Sequence, residues 1–162
     1  MSTYLDVTLE WYELLAAATV GLHRQLSALR DARPDRHGYS GEDSWGVHIE
    51  GAAGEAAFAK CMDRYWGGPI DSFKVGGDVG AIQVRTRSRH SYELIVRPDD
   101  RDSDTFVLVT GRAPTFRVVG YISGADAKRP EFLRTHGDRP AAYFVPHSAL
   151  TSLANSLRRH AA

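Results

Sequence analysis

Two acidic side chains, an amide and a cation lie close together in the middle of this chain. Glu55 occurs in the segment GEAAFAK, and Asp78 follows a glycine pair. Gln83 and Arg85 come shortly afterwards, separated by one residue. Carboxylate and amide oxygens bind hard divalent cations, and a guanidinium binds phosphate. A metal-dependent phosphodiesterase site can use these four groups, although the amide and the guanidinium are not the usual choices.

Helix geometry selects Glu55 over Glu50 as the buried acid. Five helical residues turn the chain by about 500°, so the two side chains point about 140° apart. Glu55 shares its face with the larger apolar side chains, which are Phe58, Ala59, Met62 and Trp66. Because a buried carboxylate is costly unless it is paired or holds a metal, this position favours a functional role. The alternative is a glutamate near the helix start that is favoured by the helix dipole.

Strand alternation places Gln83 and Arg85 on one face of a strand, opposite Ile82 and Val84. Alternation alone does not place Asp78 on that side, but the glycines around it allow the chain to bend there. The alternative interpretation makes Asp78 a turn residue and the other two a solvated strand face.

A row of cations follows on the same strand. Arg85, Arg87 and Arg89 alternate, so an extended strand would place all three on one face, where they could contact a phosphate backbone. Alternatively, the row is a charged edge that discourages pairing with another strand.

A helical glutamate, an aspartate after a glycine pair and an amide-x-cation strand together resemble the active site of the PD-(D/E)XK nuclease superfamily. Members of that superfamily use a helix glutamate, a strand aspartate and an acidic-x-lysine pair to bind magnesium and cut phosphodiesters. The resemblance implies that Glu55, Asp78 and Gln83 bind Mg²⁺ or Mn²⁺ and that Arg85 faces the phosphate. It covers residues 49–86 and implies a restriction-endonuclease-like core that hydrolyses DNA.

Two positions depart from the superfamily pattern. Gln83 brings no charge, which weakens magnesium binding, and Arg85 cannot act as a general base because it stays protonated. Two other functions therefore stay open: a protein of this fold that binds nucleic acid or a protein partner without cutting, and an interaction module in which Glu55 and Arg85 form a buried ion pair.

Periodicity predicts the elements that must position these residues. Apolar spacing predicts a helix over residues 9–29 and a second from residue 47 or 49 to 65, separated by a polar loop. A short strand is expected at 70–75, and period-two segments predict strands at 82–86, 92–96, 105–110, 116–122 and 141–146. An irregular or helical piece at 125–135 and a closing helix at 148–159 complete the chain. This order predicts one α/β domain over residues 1–162, with a mixed central sheet flanked by helices.

Composition limits the classes of function. Formal net charge is zero, so any attraction to nucleic acid must be local. Cys61 is the only cysteine, which excludes a disulfide framework. No signal-peptide pattern and no apolar stretch of about 20 residues is present, so we expect a cytoplasmic protein without a membrane partner. DNA is the expected partner, and the resemblance also allows a homodimer, because many such nucleases pair to cut both strands.

Overall fold

Two long helices precede most of the sheet in the computed structural model of this chain, which describes residues 4–31, 43–70 and 76–153. Helix α1 spans Trp11–Arg30 and helix α2 spans Ser44–Cys61. The remaining elements are β1 Leu5–Thr8, β2 Ile82–Arg87, β3 Leu94–Val96, β4 Thr105–Arg112, β5 Thr115–Ser123, α3 Gly124–Ala127, β6 Leu133–Arg134 and β7 Ala142–Val145, with 3-10 turns at Pro130–Phe132 and His147–Ala149.

The strands form two sheets. The larger sheet has the order β1-β5-β4-β2, in which β2 lies parallel to β4 and the other neighbours are antiparallel. The smaller sheet has the order β3-β7-β6 and is antiparallel throughout. The mixed α/β class predicted from the sequence is therefore confirmed, but the strands are divided between two sheets.

Each face of the larger sheet has its own apolar core. Helix α2, buried continuously from Ala52 to Ala59, packs on the face that carries Val84, Val107 and Val109. The opposite face carries Phe106 and Leu108, which pack against β3 and β7. Helices thus cover one face and the small sheet covers the other. This arrangement follows from β4, which is apolar on both sides and must be buried on both.

Helix α2 approaches β2 closely at one glycine. A β-carbon at Gly54 would lie 2.0 Å from Oγ1 of Thr86, whereas one at Gly51 would meet nothing within 4 Å. The hydroxyl of Thr86 is buried there without a hydrogen-bond partner. The absence of a side chain at Gly54 therefore sets how close the neighbouring Glu55 lies to the strand.

Several element boundaries differ from the sequence prediction. Helix α2 begins at Ser44 because the Asp43 side chain accepts a hydrogen bond from the amide of Gly46 at 2.8 Å and caps the helix. It ends before Asp63, whose φ of 50° leaves the helical region. Strand β1 was not predicted. The expected strand at 70–75 and most of the closing helix at 148–159 lie outside the described residues.

The predicted first helix is confirmed, but its apolar residues do not all face the core. Leu15, Leu22 and Leu29 are exposed, while Ala17 and Gly21 are buried on the opposite side. A β-carbon at Gly21 would lie 2.5 Å from the Cα of Ile49, so small residues make the close contact between α1 and α2. Within the described residues, no helix is long and apolar enough to cross a membrane.

We expect Gly54→Ala to lower the free energy of unfolding by about 1–3 kcal/mol, because the new methyl group overpacks the contact with Thr86. Gly51→Ala is the matched control on the same helix and should stabilise the protein by about 1 kcal/mol through helix propensity. Urea denaturation of both variants measures the difference. Adding Thr86→Ala to Gly54→Ala should recover most of the loss. Equal stability of Gly54→Ala and Gly51→Ala would contradict the close approach of α2 to β2.

Candidate active site

A glycine-supported turn positions Asp78 just before strand β2. The amide of Gly77 donates to the carbonyl of Gly80 at 3.0 Å, and the amide of Asp78 donates to the carbonyl of Ile82 at 2.8 Å. Gly80 has a φ of 61°, which glycine adopts without strain. A β-carbon at Gly77 would lie 2.6 Å from the backbone of Ile82. The glycines that the sequence placed around Asp78 are therefore required by this turn.

The carboxylate of Asp78 is held against the strand. Its Oδ2 accepts a hydrogen bond from the amide of Val84 at 2.7 Å. Burial raises the pKa of Asp78 above its ordinary value, while the Val84 amide and the charges of Arg85 and Arg24 act in the opposite direction. Asp78 therefore lies within electrostatic reach of cations on two different elements.

Glu55 is buried in a salt bridge with Arg24 of helix α1. The guanidinium donates from Nη1 to Oε1 at 2.7 Å and from Nη2 to Oε2 at 2.8 Å, which is a bidentate pair. Trp66 Nε1 donates to Oε2 at 3.1 Å. Arg24 Nε also donates to the carbonyl of Pro69 at 2.8 Å. The fully buried position selected by helix geometry is confirmed, since Glu55 is 5% exposed.

Glu55 and Asp78 are electrostatic neighbours. Burial raises the pKa of Glu55 and the negative charge of Asp78 raises it further, while Arg24 and the Trp66 hydrogen bond act in the opposite direction. Burial opposes the charge of Arg24 too, but the hydrogen bonds to Glu55 outweigh it and the pKa of Arg24 lies above its ordinary value. The fold therefore brings together the two carboxylates singled out from the sequence, with Arg24 as their shared counterion.

Gln83 and Arg85 lie on the other face of β2. The guanidinium of Arg85 is 5.1 Å from the ring centroid of Phe106, a residue of the second core. It also donates from Nη2 to Oδ1 of Asp100 at 3.1 Å. Nε2 of Gln83 donates to the carbonyl of Gly76 at 3.4 Å. Asp78 interacts with the charges of both Arg24 and Arg85 and so links Arg85 to the Glu55 site.

The prediction that Glu55 and Arg85 form an ion pair, made for an interaction module, is wrong. Glu55 pairs with Arg24, and Arg85 pairs with Asp100. Sequence reasoning missed Arg24 because the apolar spacing of α1 predicts a helix but does not show which side of it packs against α2. The available signal was the small-residue spacing of Ala17 and Gly21, since Arg24 lies three residues beyond Gly21 on the same side of the helix.

Two arginines contact one tyrosine at the far end of β2, and a third arginine lies within electrostatic reach of them; we call Arg87, Arg89, Arg139 and Tyr92 the arginine cluster. The guanidinium carbons of Arg87 and Arg89 lie 4.9 Å and 5.7 Å from the Tyr92 ring centroid. Burial lowers the pKa of Arg87 and the charge of Arg139 lowers it further, although Tyr92 and Glu93 oppose this. Among the described residues, no carboxylate forms an ion pair with Arg87.

The donor set around Glu55 does not fit a divalent cation in this conformation. Both carboxylate oxygens of Glu55 are engaged by Arg24, and one oxygen of Asp78 is engaged by a backbone amide. The guanidinium already supplies positive charge beside the two acids. Over residues 4–31, 43–70 and 76–153, no group of three histidine, cysteine or acidic side chains is arranged to hold a metal ion.

Comparison with known proteins finds no matching family model, no matching curated protein and no matching solved structure.

We expect Arg24→Met to lower the free energy of unfolding by about 3–5 kcal/mol at neutral pH, because it leaves the Glu55 carboxylate buried and unpaired. Arg30→Met is the matched control on the same helix, where the side chain is 74% exposed, and its effect should stay within about 0.5 kcal/mol. Chemical denaturation measures both. Adding Glu55→Gln should recover part of the loss, and a silent Arg24→Met would contradict a stabilising pair.

Stability should also depend on pH through Asp78. A carboxyl group whose pKa is raised by folding binds more protons in the folded state than in the unfolded state, so stability falls as pH rises from about 4 through the raised pKa. Asp78→Asn removes this contribution and keeps an oxygen for the Val84 amide. Denaturation between pH 4 and pH 8 should therefore show a flatter decline for Asp78→Asn. Identical slopes for Asp78→Asn and wild type would contradict the assignment.

Proposed function

We propose that the protein binds the phosphodiester backbone of DNA through the arginine cluster. The observation that carries this proposal is Arg87, a partly buried cation whose neighbours Arg89 and Arg139 carry the same charge. Like charges held this close together repel each other, and a phosphate group entering between them would offset that repulsion. Arginine is well suited to this contact because its planar fork binds phosphate oxygens in pairs.

The carboxylate of Glu93 offsets this charge only in part, because it is paired with an arginine outside the cluster. Glu93 is engaged by Arg134, whose Nη2 lies 2.8 Å and 2.7 Å from the two carboxylate oxygens. The Tyr92 ring that Arg87 and Arg89 contact is itself partly exposed, and a nucleic-acid base can stack on such a ring. Exposed arginines and an aromatic ring together favour a nucleic-acid ligand over a small anion such as chloride.

We further propose that the chain has a restriction-endonuclease-like core in which Arg24 takes the place of the metal ion. The order of elements supports this: a helix that carries Glu55, a turn that carries Asp78, and an edge strand that carries Gln83 and Arg85. Arg24 places its positive charge at the buried glutamate, so this conformation needs no metal ion to neutralise Glu55. Binding without cleavage is the function that fits this arrangement best.

Metal-dependent hydrolysis of DNA is the second candidate function. The observation that favours it is the electrostatic closeness of Glu55 and Asp78, whose mutual repulsion a Mg²⁺ or Mn²⁺ ion would relieve. It requires Arg24 to leave both oxygens of Glu55. The two candidate functions therefore differ in a measurable property: only hydrolysis needs the Arg24–Glu55 pair to open.

We expect Arg87→Gln to weaken DNA binding about tenfold and to reduce the slope of log affinity against log salt by about one, because one phosphate contact is lost. Fluorescence anisotropy with a labelled duplex, in the presence of chelator, measures both quantities. Arg101→Gln is the matched control, since Arg101 is 64% exposed and pairs with Asp104 away from the cluster. If wild type does not bind, or if both variants lose affinity equally, the arginine cluster is not the DNA site.

Incubation of labelled single- and double-stranded DNA with Mg²⁺, with Mn²⁺ and with chelator separates binding from cleavage. We expect no cutting by wild type and no rise in melting temperature with either metal, because Arg24 occupies the oxygens of Glu55. Cutting that needs metal and disappears in Asp78→Asn would establish hydrolysis instead. In that case Arg24→Met would be expected to increase metal affinity.

A further inference from the structure

Helix α1 exposes large apolar side chains along its whole length, and we call these residues the α1 stripe: Trp11, Tyr12, Leu15, Leu22, Leu26 and Leu29. Their exposed fractions range from 43% for Leu22 to 82% for Trp11. Single exposed leucines are ordinary, but a contiguous apolar surface along a helix marks an interaction site. The other side of α1 is occupied by the contact with α2.

We propose that the α1 stripe pairs with the same stripe of a second copy of this chain, with the two α1 helices antiparallel about a two-fold axis. Such an interface is self-complementary, because each surface meets an identical one. The antiparallel direction also places the N-terminal end of each helix dipole beside the C-terminal end of the other.

One register makes the stripe complementary to itself. If Trp11 lies opposite Leu29 of the second copy, the small Ala18 lies opposite Leu22 at the centre, and Leu15 lies within one residue, about 1.5 Å, of the level of Leu26. Large side chains then meet large ones at the ends, and Ala18 leaves room for the central leucine, as in the packing of knobs into holes.

A groove at the C-terminal end of α1 fits an aromatic side chain from the second copy. The groove has a volume of about 380 Å³ and is lined by His23, Leu26, Ser27, Arg30 and Ile70. Arg30 follows Tyr12 by about five full helical turns, so both lie on the same flank of the helix. A two-fold axis perpendicular to the helices brings equal flanks together. Tyr12 of one copy therefore reaches the groove of the other, where Arg30 can contact its ring.

A parallel pair does not use this groove. A two-fold axis along the helices brings opposite flanks together and sets Tyr12 level with itself, far from Arg30. The position of the groove and of Tyr12 on one flank, at opposite ends, thus favours the antiparallel dimer.

The surface available is sufficient for a weak dimer. The exposed parts of the six side chains amount to about 500 Å² per copy on ordinary side-chain areas. A symmetric pair would bury about 1,000 Å² in total, the lower bound for a specific interface. We therefore expect a dimer that dissociates on dilution.

Sedimentation velocity over a concentration series up to about 100 µM tests the proposal. Wild type should be a dimer at the upper end, and Leu22→Glu should raise the dissociation constant at least about 100-fold, because it buries two unpaired carboxylates at the two-fold axis. Val47→Glu on α2 is the matched control, since Val47 is 42% exposed and lies off the stripe. Circular dichroism confirms that both variants fold. A monomeric wild type, a dimeric Leu22→Glu or a monomeric Val47→Glu would each overturn the proposal.

Cysteine cross-linking tests the direction of the helices. In a Cys61→Ala background, Leu15→Cys protein mixed with Leu26→Cys protein should form a disulfide-linked heterodimer under mild oxidation. Neither variant should cross-link efficiently alone. Efficient cross-linking of Leu15→Cys to itself would mean a parallel pair and overturn the antiparallel arrangement.

Discussion

The salt bridge between Arg24 and Glu55 is the interaction on which the rest of this structure depends. A buried carboxylate without a partner is costly, so the fold must bring a cation to Glu55. Arg24 can reach it only if α1 turns that side toward α2, and the close contact at Gly21 allows the two helices to approach. The apolar residues of the α1 stripe then point outward. The same interaction therefore explains both the closed carboxylate site and the exposed α1 stripe.

Asp78 is the residue that connects the two faces of the sheet. Its turn precedes β2, and its charge interacts with Arg24 on the helical side and with Arg85 on the side of the second core. Each cation also has its own acid, Glu55 for Arg24 and Asp100 for Arg85. Of these three acids, Asp78 alone forms no salt bridge among the described residues, and burial raises its pKa.

The two surfaces proposed to interact with other molecules are separated in the fold. Helix α1 contacts α2, which packs on the first core, whereas the arginine cluster follows the side of β2 that faces the second core. Pairing through α1 would leave the arginine cluster of each copy uncovered. A dimer could then present two cationic surfaces to one DNA molecule without a change in either site.

The sequence by itself determined the two helices, the strands from β2 to β5, the turn around Asp78 and the burial of Glu55. These follow from local periodicity, glycine positions and helix geometry, which act within a few residues. Tertiary structure decided the partner of Glu55, the separation of Arg85 from it and the side of α1 that is buried. Arg24 and Glu55 lie on different helices, and no local pattern records which cation a buried acid will meet. Long-range packing selects Arg24 as the partner of Glu55. Small residues at the contact between α1 and α2, together with the requirement to neutralise Glu55, outweighed the burial of the exposed leucines of α1.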